Sequence, residues 1–488
     1  MPEINSLYKK LANDGINNQC LQHSLQGLQQ RLGKGALNLW NQLPDQQLRA
    51  RAKENRMQTL EHLDLVLEEL AKKIQARGGK VFFASTAEQA NDYISKVARQ
   101  HNVQTVVKGK SMTSAEIGID KVLEDQGIEV VETDLGEYIV QLAEDTPSHI
   151  IAPCIHMDRY QISELFTQKL GIPASTDPPT LTQAARTTLR KKLLSADMGL
   201  TGCNLACAET GHITLVSNEG NIRMATTMPP VHVAIMGMER VVATLDEHKT
   251  LLQLLTRGAS LQKLSTYVSF QGGPAASDGP DGPEEFHLVI LDNGRSRILA
   301  DPDFKEVLAC IRCGACLNIC PVYGRIGGHA YNSPYSGPIG AVITPLLDGI
   351  NKHADLCKGE TLCGACKDIC PVENDLPRML SLLREKLAHG DKNWDVQPSS
   401  LQERTMFTLW AWLIQHPRIY HATISLMGHL QHAWSNRAGM LDNLPGPASK
   451  WTRTRLLPAV AQKTFRKRWQ EKLSKSKASR QQSGDQHE

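Results

Sequence analysis

Cysteine carries the chemistry that this sequence displays most plainly. Residues 313–322 read CGACLNICPV and residues 363–372 read CGACKDICPV, identical at eight of ten positions and offset by 50. An internal repeat of this kind marks two copies of one structural unit. Cys310 completes the first copy as C-x2-C-x2-C-x3-C-P, the bacterial ferredoxin spacing for [4Fe–4S] clusters. A cubane needs four soft thiolates around it, and two-residue gaps let one loop place three of them on adjacent irons. The wider gap sends the fourth toward the other cluster, and the following proline ends the turn without adding an N–H to satisfy.

By this crossing rule Cys310, Cys313, Cys316 and Cys370 hold one cluster, and Cys320, Cys363 and Cys366 hold the second. The position equivalent to Cys310 is Glu360, so the second cluster lacks its expected fourth thiolate. Cys357 reaches it if the loop bends; otherwise Glu360, water or a partner group supplies the ligand, or the cluster is [3Fe–4S]. Two structural zinc sites are the competing reading of C-x2-C. Zinc ribbons, however, do not need the third and fourth cysteines with a trailing proline in both copies.

Elements must position these thiols. Residues 1–76 read as helical, with Leu60, Leu63, Leu67 and Leu70 near the 3.6-residue period and Gly78-Gly79 as the stop. From Lys80 the pattern alternates between β-rich runs and helical ones. Expected strands are Val81–Ala84, Thr105–Val107, Ile128–Glu132, His149–Ala152, Ile213–Ser217, Val231–Met236 and Phe286–Leu291. Expected helices include Ala87–Gln100 and Ala115–Gln126. Such β-α alternation implies a mostly parallel sheet covered by helices. Gly272 to Pro283 reads as a linker or exposed loop. The 43 positions from Cys320 to Cys363 exceed the gap of compact ferredoxins and point to a helical dicluster domain. The expected class is α/β plus all-α: a helical segment 1–76, an α/β domain 77–300, a dicluster domain 301–394 and a helical C-terminal domain 395–488.

Composition bounds the rest. The chain has 488 residues, 41% hydrophobic and 22% charged, with a formal net charge of +3, a globular balance. The longest strongly apolar stretch, Met406 to Ile414, is far short of the ~20 residues that span a bilayer, and no secretory signal is apparent. A cytoplasmic chain is expected, whose twelve cysteines are then not disulfides; the eight crowded between Cys310 and Cys370 indicate metal instead. Eleven of the 54 basic residues but one of the 51 acids lie between Lys450 and Arg480. That tail includes Phe465-Arg-Lys-Arg-Trp469 and reads as a solvated helix face or a peripheral membrane contact. Nucleic acid is not an expected partner.

Weaker features have plain readings. Gly109-Lys110-Ser111 lacks the earlier glycine of a P-loop, and Thr113-x-x-Glu116 reads as a capping box. No G-x-G-x-x-G occurs. Cys203 and Cys207 share a face if helical, Asn204 and Glu209 are polar candidates for a ligand, and Asn218–Asn221 reads as a turn between strands. Cys154 and His156, near a strand end, read as a core pair. His416, His421, His429 and His432 are expected on a helix surface.

Long strings raise the reading to a family. CIRCGACLNICPVY, GGHAYNSPYSGPIGAVITPLL, GCNLACAETGHITLVSNEG and MGMERVV resemble the lactate utilization protein B family of iron–sulfur proteins. The resemblance implies a lactate-utilization (LUD) domain, similar to the isomerase and CoA-transferase-like parallel-sheet fold. A dicluster ferredoxin module carrying two [4Fe–4S] clusters and a family-specific helical C-terminal domain would follow. It further implies electron transport within a multi-subunit system oxidising L-lactate to pyruvate, with lactate utilization proteins A and C as companions. The downstream acceptor would be a membrane carrier or quinone, placing the chain in the cytoplasm or peripherally at the inner membrane face. The family's cluster ligands carry over to Cys310, Cys313, Cys316, Cys320, Cys363, Cys366 and Cys370, so Glu360 need not signal a defect; Cys207 and Cys357 receive no family role. The competing function makes the α/β domain catalytic on a small carboxylate or acyl group through Glu209 and Asn204, with structural clusters.

Overall fold

The computed structural model describes residues 2–276, 282–431, 435–436, 439–444, 446, 449–452, 455–461 and 463–484. Two compact units emerge, Met1–Pro398 and Ser399–Glu488.

The first unit is organised around strands of Val, Ile and Leu that read as continuous apolar runs, the signature of parallel strands buried on both faces. β1 (Lys80–Ala84), β2 (Thr105–Lys108), β3 (Glu129–Glu132), β4 (Met198–Thr201), β7 (Val231–Gly237) and β10 (Glu285–Leu291) form one sheet in the order β1-β10-β7-β4-β2-β3. Every neighbouring pair runs parallel. A smaller four-stranded sheet combines β5 (Leu205–Cys207), β6 (His212–Ser217), β8 (Val241–Val242) and β9 (Tyr267–Gln271) in the order β8-β5-β6-β9.

The two-residue period of β7 and β10 divides the core. Val233, Ile235 and Val289 face Ile94, Val97 and Leu123, whereas Ala234, Met236, Leu288 and Ile290 face Leu63, Leu67, Leu70 and Ile74 of the N-terminal helices. That second core runs on without a break through Phe304, Tyr323, Val342 and Leu383 of the cysteine region. The N-terminal helices thus form a wall shared by the sheet and the cysteine loops, which explains why residues 1–398 are one compact unit.

Several local expectations change. The helix Ala87–Gln100 stands as expected, capped by the Thr86 hydroxyl. The stretch 115–126 instead forms two short helices, Met112–Ile117 and Ile119–Glu124, parted at Gly118. Their cap is Ser111, which accepts from the Ser114 N–H at 3.1 Å, not Thr113. His149–Ala152 is no strand: His149 Nδ1 accepts the N–H groups of Ile151 and Ala152, at 3.0 and 3.1 Å, and curls the chain into an irregular loop. Cys207 ends a strand rather than a helix, and Asn218–Asn221 leads from β6 into the helix Asn221–Thr227, not into a strand. The segment 272–283 joins the small sheet to β10, with its residues 277–281 outside the described ones.

The second unit contains the helices Leu401–Gln415, Pro417–Leu430 and Phe465–Gly484 and a two-stranded ribbon pairing Met440–Leu441 with Leu457–Pro458. The first helix buries none of its residues, and Phe407, Leu409, Trp410 and Trp412 are exposed. His416 and His429 bond back to the carbonyls of their own helices, and His421 meets Arg466, so these three lie on a surface as expected; His432 and Trp434 fall outside the described residues. No described helix is long and apolar enough to cross a membrane.

Candidate metal centres

The two cysteine repeats fold alike through their opening turns. Arg312 and Leu362 adopt left-handed φ of 59° and 57°, and Gly314 and Gly364 follow at 77° and 87°. A non-glycine residue in that region costs roughly 1–2 kcal/mol, so tertiary contacts must hold the turns. Short helices then start at Ala315 and Ala365, and at Cys320 the chain turns extended before its proline.

The contacts come from distant segments. Arg49 donates to the carbonyls of Cys370 and Asp368, Trp40 Nε1 to that of Ile369 at 3.0 Å, and Gln29 to that of Cys320 at 2.7 Å. Arg240 donates to the carbonyls of Cys310 and Ile311. Backbone N–H groups point at sulfur as well: Arg312 N to Cys310 at 3.4 Å, Tyr323 N to Cys320 at 3.4 Å and Asn374 N to Cys370 at 3.3 Å.

The thiols gather in two nests. Burial pushes the pKa of Cys316 well up, and the sulfurs of Cys310, Cys313, Cys366 and Cys370 push it further. Cys370 is likewise raised to about 12, by burial and then by Cys310. Cys320, Glu360, Cys363 and Cys366 line a second small cavity. The last residue of each C-x3-C pair therefore faces the nest built by the other repeat.

Glu360 occupies the fourth side of the second nest. Its Oε2 lies 3.4 Å from Cys320 Sγ, and its Oε1 accepts from Tyr331 at 2.8 Å. Burial raises its pKa. Cys357 points elsewhere: its sulfur is buried in the main core, it does not line the second cavity, and its carbonyl accepts from Arg384 at 2.8 Å.

Charge surrounds the nests unequally. Arg295 binds Glu116 through both terminal nitrogens, at 2.9 and 2.7 Å, and donates to Glu239 at 2.8 Å. Arg312 reaches Glu239 at 3.3 Å and stacks on Tyr335. Burial alone would raise the Glu239 pKa, yet Arg295, Arg312 and Arg240 hold it down to about 2. Arg56 and Arg240 are buried too, but donate to backbone carbonyls. Four guanidiniums against Glu116, Glu239 and Glu247, the last also acting on Arg56, leave a small cationic excess near Cys310, which a cluster carrying net negative charge would offset.

A cavity of about 310 Å³ opens at the carboxyl ends of β2, β4 and β7, where parallel α/β sheets bind ligands. Lys110, Asn204, Glu239, Arg240, Arg312 and Cys313 line it. Arg312 Nη1 has no partner there. Gly258 packs so closely against Cys313 that a Cβ would lie 3.2 Å from its Sγ. Glu209 is not part of this cavity; it accepts from the Leu245 N–H at 2.7 Å. Sequence reading missed Arg56, Arg240 and Arg312 because arginine spacing alone gives no sign of burial.

The donor set fits iron–sulfur clusters. Among the described residues, no three cysteine sulfurs lie within 4.8 Å of one another, wider than one Zn²⁺ at ~2.3 Å per sulfur allows. Buried thiols with raised pKa values ionise when a metal takes the proton's place.

Comparisons with known proteins agree. Residues 67–291 match the LUD domain, 306–374 the 4Fe-4S dicluster domain and 392–474 the lactate utilisation protein B C-terminal domain. A lactate utilization protein B from Oceanobacillus iheyensis is 43% identical over 471 residues, 96% of this chain and 97% of that one. The chain belongs to the lactate utilization protein B family. Further members from Shouchella clausii and Bacillus subtilis are 43% and 40% identical, each covering 94% of this chain and 95% of the relative. One solved structure, a DUF162 family protein from Deinococcus radiodurans, aligns with 16% identity and a TM-score of 0.27 over 47% of this chain and 98% of that one. Because residues 306–374 match the 4Fe-4S dicluster domain and hold the clustered cysteines, iron–sulfur clusters are the cofactors.

Proposed function

We propose that the chain relays single electrons through two [4Fe–4S] clusters in a system that oxidises L-lactate to pyruvate. Cys310, Cys313, Cys316 and Cys370 hold the first, and Cys320, Cys363, Cys366 and Glu360 the second. The domain limits follow the sequence reading, with a helical wall over 1–76, LUD domain 77–300, dicluster domain 301–394 and C-terminal domain 395–488. The single observation that carries this reading is the exchange of Cys320 and Cys370 between nests, which supports two clusters lying side by side.

Such clusters pass one electron at a time, whereas lactate gives up two, so a two-electron acceptor must stand before them. This chain's residues bury Cys313, Cys320, Cys366 and Cys370 while leaving Cys363 exposed, aim N–H groups at the sulfurs of Cys310, Cys320 and Cys370 and place buried guanidiniums beside the first nest; these are the levers that set cluster potentials. Lactate utilization proteins A and C are the proposed companions, and a membrane carrier or quinone the proposed acceptor. The exposed apolar helix Leu401–Gln415 and the basic helix Phe465–Gly484 support a cytoplasmic chain attached peripherally to the inner membrane face.

The test is turnover with and without companions. The isolated, cluster-loaded chain should take electrons from dithionite yet fail to oxidise L-lactate with a dye acceptor. Lactate oxidation by the chain alone would overturn the relay.

The cavity at Arg312 favours a second reading, in which the α/β domain binds a small carboxylate itself, with Asn204 but without Glu209. Replacing Arg312 separates the two: lost turnover with intact clusters supports the second.

A further inference from the structure

Away from the cysteines, three residues from separate segments converge. Asp145 follows the helix Leu135–Leu142, His156 lies in the irregular loop after His149, and His329 opens the short turn His329–Tyr331. Each offers a ligand atom within 4.8 Å of those of the other two, and among the described residues no other such trio occurs. His156 Nε2 lies 3.2 Å from Asp145 Oδ2, and the rings of His156 and His329 are 4.6 Å apart.

Three observations point to a ligand rather than to a packing contact. First, the His156 side chain is nine-tenths buried, and beyond the poorly aligned approaches of the Asp145 carboxylate and the Pro153 backbone its ring nitrogens have no hydrogen-bond partner, an expensive arrangement if nothing binds there. Second, His329 donates its Nε2 hydrogen to the Thr146 carbonyl at 2.7 Å. That leaves Nδ1 with its lone pair, and metal-binding histidines are oriented by such a bond from the other nitrogen. Third, Asp145 is 44% exposed, and both it and His329 line a cavity of about 770 Å³ that Lys110 and His149 also line. An ion therefore has a route in.

We propose that Asp145, His156 and His329 bind one divalent first-row transition ion, separate from the cluster iron. Two imidazoles and one carboxylate suit Zn²⁺ or Fe²⁺ and leave coordination positions open. Those positions face the cavity, where water or an anionic oxygen ligand completes the set. The pairing of His156 with Asp145 as a bare ion pair is the alternative, and it predicts no retained metal.

The experiment uses the full-length, cluster-loaded protein, dialysed without oxygen against micromolar ZnCl₂, with retained zinc, iron and sulfide counted per chain. One zinc per chain is expected. Asp145→Asn and His329→Ala should each weaken retention at least about tenfold while iron and sulfide stay constant. Asp145→Asn changes an exposed side chain, so the test survives if a histidine variant fails to fold. X-ray absorption at the zinc edge should show nitrogen and oxygen neighbours only. No retained zinc, wild-type retention by both variants, or sulfur neighbours would each overturn the site.

Discussion

Glu360 places a carboxylate oxygen 3.4 Å from the sulfur of Cys320, on the side of the second nest where the first repeat supplies Cys310. Tyr331 fixes the other oxygen, and Arg384 holds the Glu360 carbonyl at 2.6 Å. The carboxylate is thus positioned by its neighbours rather than left to wander.

Replacing it should alter cluster composition before stability. Glu360→Ala is expected to lose about one iron per chain and to give a three-iron EPR signal in the oxidised protein. Glu360→Cys should restore the full count. Identical iron content and spectra in wild type and Glu360→Ala would remove Glu360 from the ligand set, as would loss of iron in Cys357→Ala with Glu360 intact.

Arg240 is buried among carbonyls of the Cys310 loop, so its charge acts on the first cluster through little water. Arg240→Gln should lower one of two midpoint potentials in an EPR-monitored redox titration. A buried charge acting over about 10 Å contributes roughly 1–2 kcal/mol, or roughly 40–90 mV for one electron. Arg240→Lys should recover much of the shift. Equal movement of both potentials would mean a general loss of packing instead.

Acid should weaken the fold through neutral histidines. Burial, then His287, lowers the His232 pKa to about 3; burial, then His212, lowers that of His248 to about 4. An unfolded histidine binds its proton near pH 6.5, so stability falls as pH drops from about 6.5, the His248 contribution levelling off below about 4 and the His232 contribution below about 3. Each site contributes up to about 1.4 kcal/mol per pH unit in that window. Thermal unfolding across pH 7 to 4 should show the decline, and His232→Gln, which keeps a partner for Thr201, should flatten it. An unchanged profile would assign acid sensitivity to other groups.

How much of this was legible from sequence varies by element. The cysteine repeat displayed its chemistry because ligand spacing is a local property, and β7 and β10 were readable from apolar runs interrupted only by His232 and His287. His149–Ala152 misled for the same reason: Ile150 and Ile151 look like a strand, but the His149 ring bonds its own backbone. The 1–76 segment was read as helical and forms helices, while its role as a wall for both the sheet and the cysteine loops depends on Arg49, Arg56 and Trp40 meeting residues 185 to 329 positions away. The approach of Glu360 to Cys320 is tertiary too; sequence left it open among several ligands. The trio of Asp145, His156 and His329 left no local pattern at all.

Membrane attachment can be tested directly. Vesicles containing anionic lipid should bind the full chain at low salt and release it as salt rises. Charge reversal at Arg466, Lys467 and Arg468 should abolish binding without changing cluster absorbance. Salt-independent binding would assign contact to the apolar helix Leu401–Gln415 alone, and no binding would exclude peripheral attachment.

The most direct test of the central claim is the iron and acid-labile sulfide content of protein purified without oxygen, read with its EPR spectrum. The account predicts about eight of each per chain and two interacting one-electron signals on reduction. Zinc without sulfide, or about four irons and a lone signal, would contradict it.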